Sequence, residues 1–223
     1  MIPIVDTQID GYIADLETGR DPVLVEMERL AEELQFPIVG SQVGTLLYIL
    51  ARSIRAKRVL ELGSGFGYSA VYFANAVGSG GRVVLTDSDR DNRARAHGFL
   101  TKARLEDRTE FRLGDALELA TSLRGQFDIV FNDIDKDEYP LVPDTAAKLL
   151  RPNGLLISDN TLWGGRVADP RVSDEATRGV RRYNELMARD QRYSTVILPI
   201  RDGLSISLLL GSNAKPGRRT PSN

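Results

Sequence analysis

A doubly wound α/β fold is predicted, with a mostly parallel seven-stranded sheet, an antiparallel C-terminal hairpin and a set of N-terminal helices. Three observations predict it. From Arg58 onward, short apolar runs alternate with helical stretches, as in successive strand–helix units. The runs are nearly continuous in apolar residues, as strands covered on both faces are. The last two runs are separated only by Arg201, Asp202 and Gly203, too few residues for a parallel crossover.

The elements follow in order. The first forty residues read as a helical extension, in which Asp21-Pro22 supplies an N-cap and a first-turn proline. Val23, Met27, Leu30, Ala31 and Leu34 then recur at helical spacing, and Pro37 ends that helix. A second helix is expected from about Ser41 to Arg52. The strands are RVLELG (58–63), RVVLTD (82–87), TEFRLG (109–114), FDIVFND (127–133), GLLISD (154–159), STVILPI (194–200) and LSISLLL (204–210). Helices fill the gaps, among them GYSAVYFANAV and DRDNRARAHGFLTKAR. Residues 1–210 are expected to form one domain. The Gly-, Pro- and polar-rich stretch 211–223 is expected to be a flexible tail.

Composition narrows the chemistry. The chain has no cysteine, which excludes disulfide frameworks, zinc ribbons, iron–sulfur clusters and cysteine nucleophiles. Its single histidine, His97, excludes multi-histidine metal sites and any Ser-His-Asp triad not built on it. Metal chemistry would have to use oxygen ligands. With 29 basic and 31 acidic residues the net charge is −2, so nothing global draws the chain to nucleic acid. No long apolar run appears, and MIPIVDTQIDGY lacks a basic region before an apolar core, so a cytoplasmic location is expected.

The first strand runs into Glu61-Leu62-Gly63-Ser64-Gly65-Phe66-Gly67-Tyr68-Ser69. Glycines between a strand and a helix let the backbone and the helix N-terminus approach a ligand closely. Their spacing is GxGxG, not the GxGxxG of dinucleotide enzymes, and a tight turn needs glycine in any case. Asp87 ends the second strand 24 residues after Gly63, where an acidic group hydrogen-bonds a ribose diol. Asp89 reads as the cap of the next helix. Together these features point to a nucleoside-containing ligand. The fourth and fifth strands end at Asp133 and at Asp159-Asn160, and parallel strands share one carboxyl edge. Two carboxylates and one amide oxygen suit a hard divalent cation, Mg²⁺ by default, with Mn²⁺ or Ca²⁺ accepting the same oxygens.

VLELGSGFGYSAVYFA, FDIVFNDIDKDEY, LLISDNTLWGGRV and LPIRDGLSIS resemble the metal-dependent O-methyltransferases that use S-adenosylmethionine (SAM), over roughly residues 38–210. That family includes catechol and caffeoyl-CoA O-methyltransferases and small bacterial relatives. The resemblance implies that Asp133, Asp159 and Asn160 hold the metal. It makes Lys136, beside Asp133, the general base acting on a small hydroxylated aromatic acceptor, and Trp163 an aromatic wall against that acceptor. It implies a cofactor set of Glu61, Gly63, Ser64, Gly67, Tyr68 and Ser69 toward the methionine end, Asp87 and Ser88 at the ribose, and Asp115 and Ala116 at the adenine, with Asp133 alongside. It further implies a homodimer with the apolar N-terminal helix as interface. Three positions depart from the family's habit: Asn132 stands where an apolar residue is usual, Ser64-Gly65-Phe66 replaces a Thr-Phe-Thr-like triplet, and Thr45 replaces a glutamine. Alternative readings are a tRNA hydroxyuridine O-methyltransferase, whose phosphate track would come from the basic clusters Arg52, Arg55, Lys57 and Arg58 and Arg178, Arg181 and Arg182, a non-catalytic SAM-binding module, and an NAD-dependent oxidoreductase.

Overall fold

The computed structural model describes residues 4–211. Three helices come first: α1 (Thr7–Asp15), α2 (Pro22–Leu34) and α3 (Gly40–Ser53). Strand–helix units follow: β1 (Arg58–Leu62), α4 (Tyr68–Val77), β2 (Arg82–Asp87), α5 (Arg90–Lys102), β3 (Thr109–Leu113), α6 (Ala116–Ser122), β4 (Phe127–Asn132), α7 (Val142–Leu149), β5 (Leu150–Ser158) and α8 (Glu175–Arg189). Strands β6 (Tyr193–Leu198) and β7 (Leu204–Leu209) close the chain. The sheet order is β3-β2-β1-β4-β5-β7-β6, parallel from β3 to β5 and antiparallel at β7 and β6. The doubly wound sheet and its terminal hairpin are therefore as the sequence predicts. The hairpin does more than border the sheet, because β7 is inserted between β5 and β6.

Local chemistry explains the element ends. The Asp21 carboxylate accepts the Val23 backbone N–H at 2.8 Å and Pro22 opens α2. That helix ends with Gln35 in the left-handed conformation (φ +51°), two residues before Pro37. Val23, Leu24, Met27 and Ala31 bury its inner face, whereas Leu34, one of the residues at helical spacing, is exposed. Asp89 caps α5, its carboxylate accepting the Asp91 N–H at 2.6 Å. β5 starts at Leu150, four residues earlier than predicted, and β6 ends at Leu198, so five residues rather than three form the last turn. The predicted tail lies outside the described residues beyond Gly211.

Successive strand residues face opposite cores. Val59, Val83, Ile129, Phe131 and Ile157 pack with α2, α3, α4 and α5; Leu60, Leu62, Val84, Val130 and Leu156 pack with α6, α7 and α8. Burial on both faces is why these strands lack polar alternation. Two members of the basic cluster at the end of α3 make contacts within the fold. The Lys57 ammonium donates to the Val77 carbonyl at 2.9 Å, neutralising the C-terminus of α4, and the Arg58 guanidinium lies 4.7 Å from the Phe127 ring centroid. Helix α1 buries none of its residues and leaves Ile9, Tyr12 and Ile13 exposed. Among the described residues no helix is long and apolar enough to cross a membrane.

Candidate active site

A pocket of about 510 Å³ opens at the carboxyl edge of the parallel strands, and the residues after β1, β2, β4 and β5 line it. Gly63, Ser64, Tyr68, Ser69, Asp87, Asp133, Lys136, Asp159, Asn160 and Trp163 come together there. The wall is completed by Phe36–Val39 between α2 and α3, by Ala176 on α8 and by Asp202 from the β6–β7 turn.

The glycine turn is shaped by its neighbours. Gly63 has φ +78°, and a Cβ there would come within 2.4 Å of the Asp133 carbonyl oxygen, so the turn after β1 and the end of β4 touch directly. Gly67 has φ +88° and precedes α4 without any side-chain cap, leaving first-turn N–H groups available at the pocket. The Asp87 carboxylate accepts the Gly65 and Asp89 N–H groups, both at 2.9 Å. The Tyr68 hydroxyl donates to Glu28 of α2 at 2.5 Å, so its phenol ties two helices together.

Glu61, Gly67, Ser88, Asp115 and Ala116 do not line this pocket. Ser88 is exposed beside Asp87. Asp115 caps α6, accepting the Glu118 N–H at 2.7 Å, and Ala116 is buried behind it. Glu61 is fully buried beneath the glycine turn, and neither of its carboxylate oxygens has a partner in hydrogen-bonding geometry. Burial pushes its carboxyl up to about 8, against the pull of the Ser69 and Ser64 hydroxyls.

On the β4–β5 side, register pairs Asn132 with Ser158, so the residues that follow, Asp133 and Asp159, stand side by side. Lys136 donates to Asp133 Oδ1 at 2.8 Å and to the Ile134 carbonyl at 3.1 Å. Its ammonium also lies 4.9 Å from the Tyr139 ring centroid and 5.7 Å from that of Trp163. Helix α8 presses on this loop so closely that a Cβ on Gly179 would fall 2.2 Å from the Lys136 carbonyl oxygen. Asp159 is 4% exposed, and burial together with repulsion from Asp133 pushes its carboxyl up to about 8. Among the described residues no group of three or more His, Cys, Asp or Glu side chains is placed to hold a metal. The oxygen set consists of the two carboxylates and Asn160. A buried Asp159 and a partly exposed Asp133 that repel each other, with Lys136 bonded to Asp133, are a donor set whose charge a hard cation would relieve.

Asn132 is fully buried and outside the pocket lining; its Nδ2 donates to Ser158 Oγ at 3.2 Å, and Ser158 continues to the Tyr183 hydroxyl at 2.8 Å. It joins β4 to β5 and α8. Arg181 of α8 is engaged by backbone carbonyls. It donates to the carbonyls of Val167 at 2.9 Å, Val172 at 2.7 Å and Arg166 at 2.9 Å, pinning the loop after Trp163. Sequence reasoning missed Asp202 and Phe36–Val39 as pocket residues. For Asp202, an acidic residue in a turn beside β5 was the available signal; for Phe36 only packing against Phe66, 5.0 Å between ring centroids, brings it in.

A doubly wound sheet of this order with a ligand pocket across its carboxyl edge defines a Rossmann-like methyltransferase fold. An O-methyltransferase from Bacillus cereus, solved with S-adenosylhomocysteine (SAH), superposes with a TM-score of 0.83 at 31% identity, covering 91% of this chain and 97% of that one. Residues 18–210 match the O-methyltransferase family, and the chain belongs to that family. A catechol O-methyltransferase of Niastella koreensis is 30% identical over 212 residues, spanning 90% of this chain and 96% of the relative. A caffeoyl-CoA O-methyltransferase of Eucalyptus globulus is 33% identical over 176 residues, 73% of this chain and 71% of the relative.

Proposed function

We propose that this chain moves the methyl group of SAM to a hydroxyl of a small catechol-like aromatic, with Lys136 as general base and a divalent cation held by Asp133, Asp159 and Asn160. The observation that carries this reading is the convergence of Lys136, the two carboxylates and Trp163 with the glycine turn and Asp87 on one pocket. SAM supplies a sulfonium methyl group, and the cation supplies positive charge that favours the ionised form of vicinal hydroxyls and orients them.

The rest is the work of the chain's own residues. Asp87 accepts hydrogen bonds from the ribose diol, and the N–H groups that open α4 receive the carboxylate of the methionine end. Glu61 lies unpaired beneath the turn and outside the pocket lining, and it becomes a negative counterpart for a cationic amino group only on giving up the proton that burial favours. Trp163 walls the acceptor. Lys136, oriented by Asp133, accepts the hydroxyl proton at Nζ in its neutral form. The acceptor oxygen forms its bond to the methyl carbon as the carbon–sulfur bond breaks and its electron pair passes to sulfur. In-line positioning of the two reactants is the main catalytic device.

Several of the basic residues that a tRNA acceptor would need make contacts within the fold: Lys57 with the end of α4, Arg58 with Phe127 and Arg181 with the loop after Trp163, while Arg55 stays exposed. That favours the small acceptor. A second copy of the chain covering the exposed apolar residues of α1 completes the reading, and a one-chain mass by light scattering would overturn it. The deciding experiment is transfer of labelled methyl from SAM to a catechol acid, with undermodified tRNA in parallel, each with Mg²⁺ and with EDTA. Label in the catechol only with Mg²⁺ is expected. Label in tRNA alone overturns the acceptor, and label undiminished by EDTA overturns the metal.

A further inference from the structure

We infer that Asp202 is a positioning residue that holds the Asn160–Gly164 loop, fixing both the Asn160 amide and the Trp163 ring at the pocket. Both of its carboxylate oxygens are used on that loop. Oδ2 accepts from Asn160 Nδ2 at 3.3 Å, and Oδ1 accepts the Gly164 backbone N–H. With its NH₂ group drawn to Asp202, the Asn160 side chain has its amide oxygen left for a ligand. The backbone of the turn repeats the grip. Thr161 N–H donates to the Gly203 carbonyl at 2.9 Å, and Leu162 and Trp163 donate to the Asp202 carbonyl at 2.9 and 3.2 Å.

The loop needs such a hold. Asn160 and Trp163 have φ values of +53° and +49°, in the left-handed region where Asn is tolerated and a bulky tryptophan is strained. Arg201 at φ +45° and Gly203 at φ +88° shape the opposing turn, and a Cβ on Gly203 would come within 2.5 Å of the Leu162 backbone nitrogen. Two strained segments thus lock against each other, with the Asp202 carboxylate between them. Asp202 does not form a three-carboxylate metal cluster with Asp133 and Asp159, since no such group occurs among the described residues. It acts through Asn160, as residues behind metal ligands do.

The metal arm of this inference rests on the proposed ligand role of Asn160; the loop arm stands on geometry alone. Trp163 is the only tryptophan in the chain, so intrinsic fluorescence reads this loop directly. The test compares wild type, Asp202→Ala and Asp202→Asn without SAM, measuring acrylamide quenching of Trp163 and Mn²⁺ binding by electron paramagnetic resonance. In Asp202→Ala, quenching is expected to rise and Mn²⁺ affinity to fall about 10–100-fold, with SAH affinity within a few-fold of wild type. Asp202→Asn, equal in size with one acceptor oxygen, is expected to fall between the two, and it carries the test if the alanine variant loses its circular dichroism. Unchanged quenching in the folded variants overturns the inference. Raised quenching with unchanged Mn²⁺ affinity overturns the role through Asn160. A wild type that binds no Mn²⁺ sinks the metal reading instead, and quenching alone then decides on Asp202.

Discussion

The two sides of the pocket are built on different terms. On the β1–β2 side the Asp87 carboxylate is satisfied by the Gly65 and Asp89 N–H groups and by the Asn92 amide at 3.3 Å, all within 22 residues of it. On the β4–β5 side Asp133 and Asp159 repel each other. Lys136 is hydrogen-bonded to Asp133 and draws Asp159 only through its charge, and the loop that carries Asn160 is held by Asp202, 42 residues away. One side is a carboxylate already satisfied by hydrogen bonds. The other gathers unfavourable charge, and in the proposed function a cation would relieve it. Local backbone suffices for the first, whereas the second depends on the packing of distant segments.

Substitutions on the two sides should separate cation from cofactor binding, and the strongest loss is expected at Asp159. Asp159→Ala is expected to abolish metal-stimulated methyl transfer while SAH affinity by calorimetry stays within a few-fold. If SAH binding is lost as well, the two sides are not separable. Lys136→Met should lower kcat by about 10²–10⁴-fold with little change in KM, measured at saturating SAM with a catechol acid. Asp87→Ala belongs to the other side. It should weaken SAH binding by about 10–100-fold, as the loss of hydrogen bonds to a charged group does, and leave Mn²⁺ affinity unchanged.

The smallest effect tests the buried Glu61 carboxyl of β1 through pH. The Glu61 carboxyl stands at about 8 in the folded chain, above its ordinary 4.5. A folded-state value above the unfolded one means the fold binds this proton more tightly. Its stabilising contribution is full below pH 4.5 and is lost as pH rises through 8. Glu61→Gln in the ligand-free chain should therefore unfold in urea like wild type at pH 4.5 and be about 1–3 kcal/mol more stable at pH 9. A difference that is the same at both pH values would mean that Glu61 is not a buried acid.

Much of the molecule was legible beforehand. Apolar runs without alternation marked the parallel strands, Asp21-Pro22 and Asp89 marked helix starts, and the three-residue gap before Leu204 marked the hairpin. Asp87, Asp133 and Asp159 could be gathered at one edge because parallel strands end on the same side. Asp115 was less legible, since an Asp before a helix reads equally as a cap or as a ligand contact, and here its carboxylate caps.

What the sequence by itself determined is the set of local preferences: periodicity, caps, turns and the strand ends on which chemistry collects. Those depend on neighbours a few residues away. The tertiary structure alone decided that the Tyr68 phenol goes to Glu28, that Glu61 lies unpaired beneath the glycine turn, and that Arg181 pins the loop after Trp163. It also decided that inserting β7 beside β5 brings Asp202 against Asn160. These contacts join different elements of the fold, and side-chain type carries no address for a partner that only packing supplies.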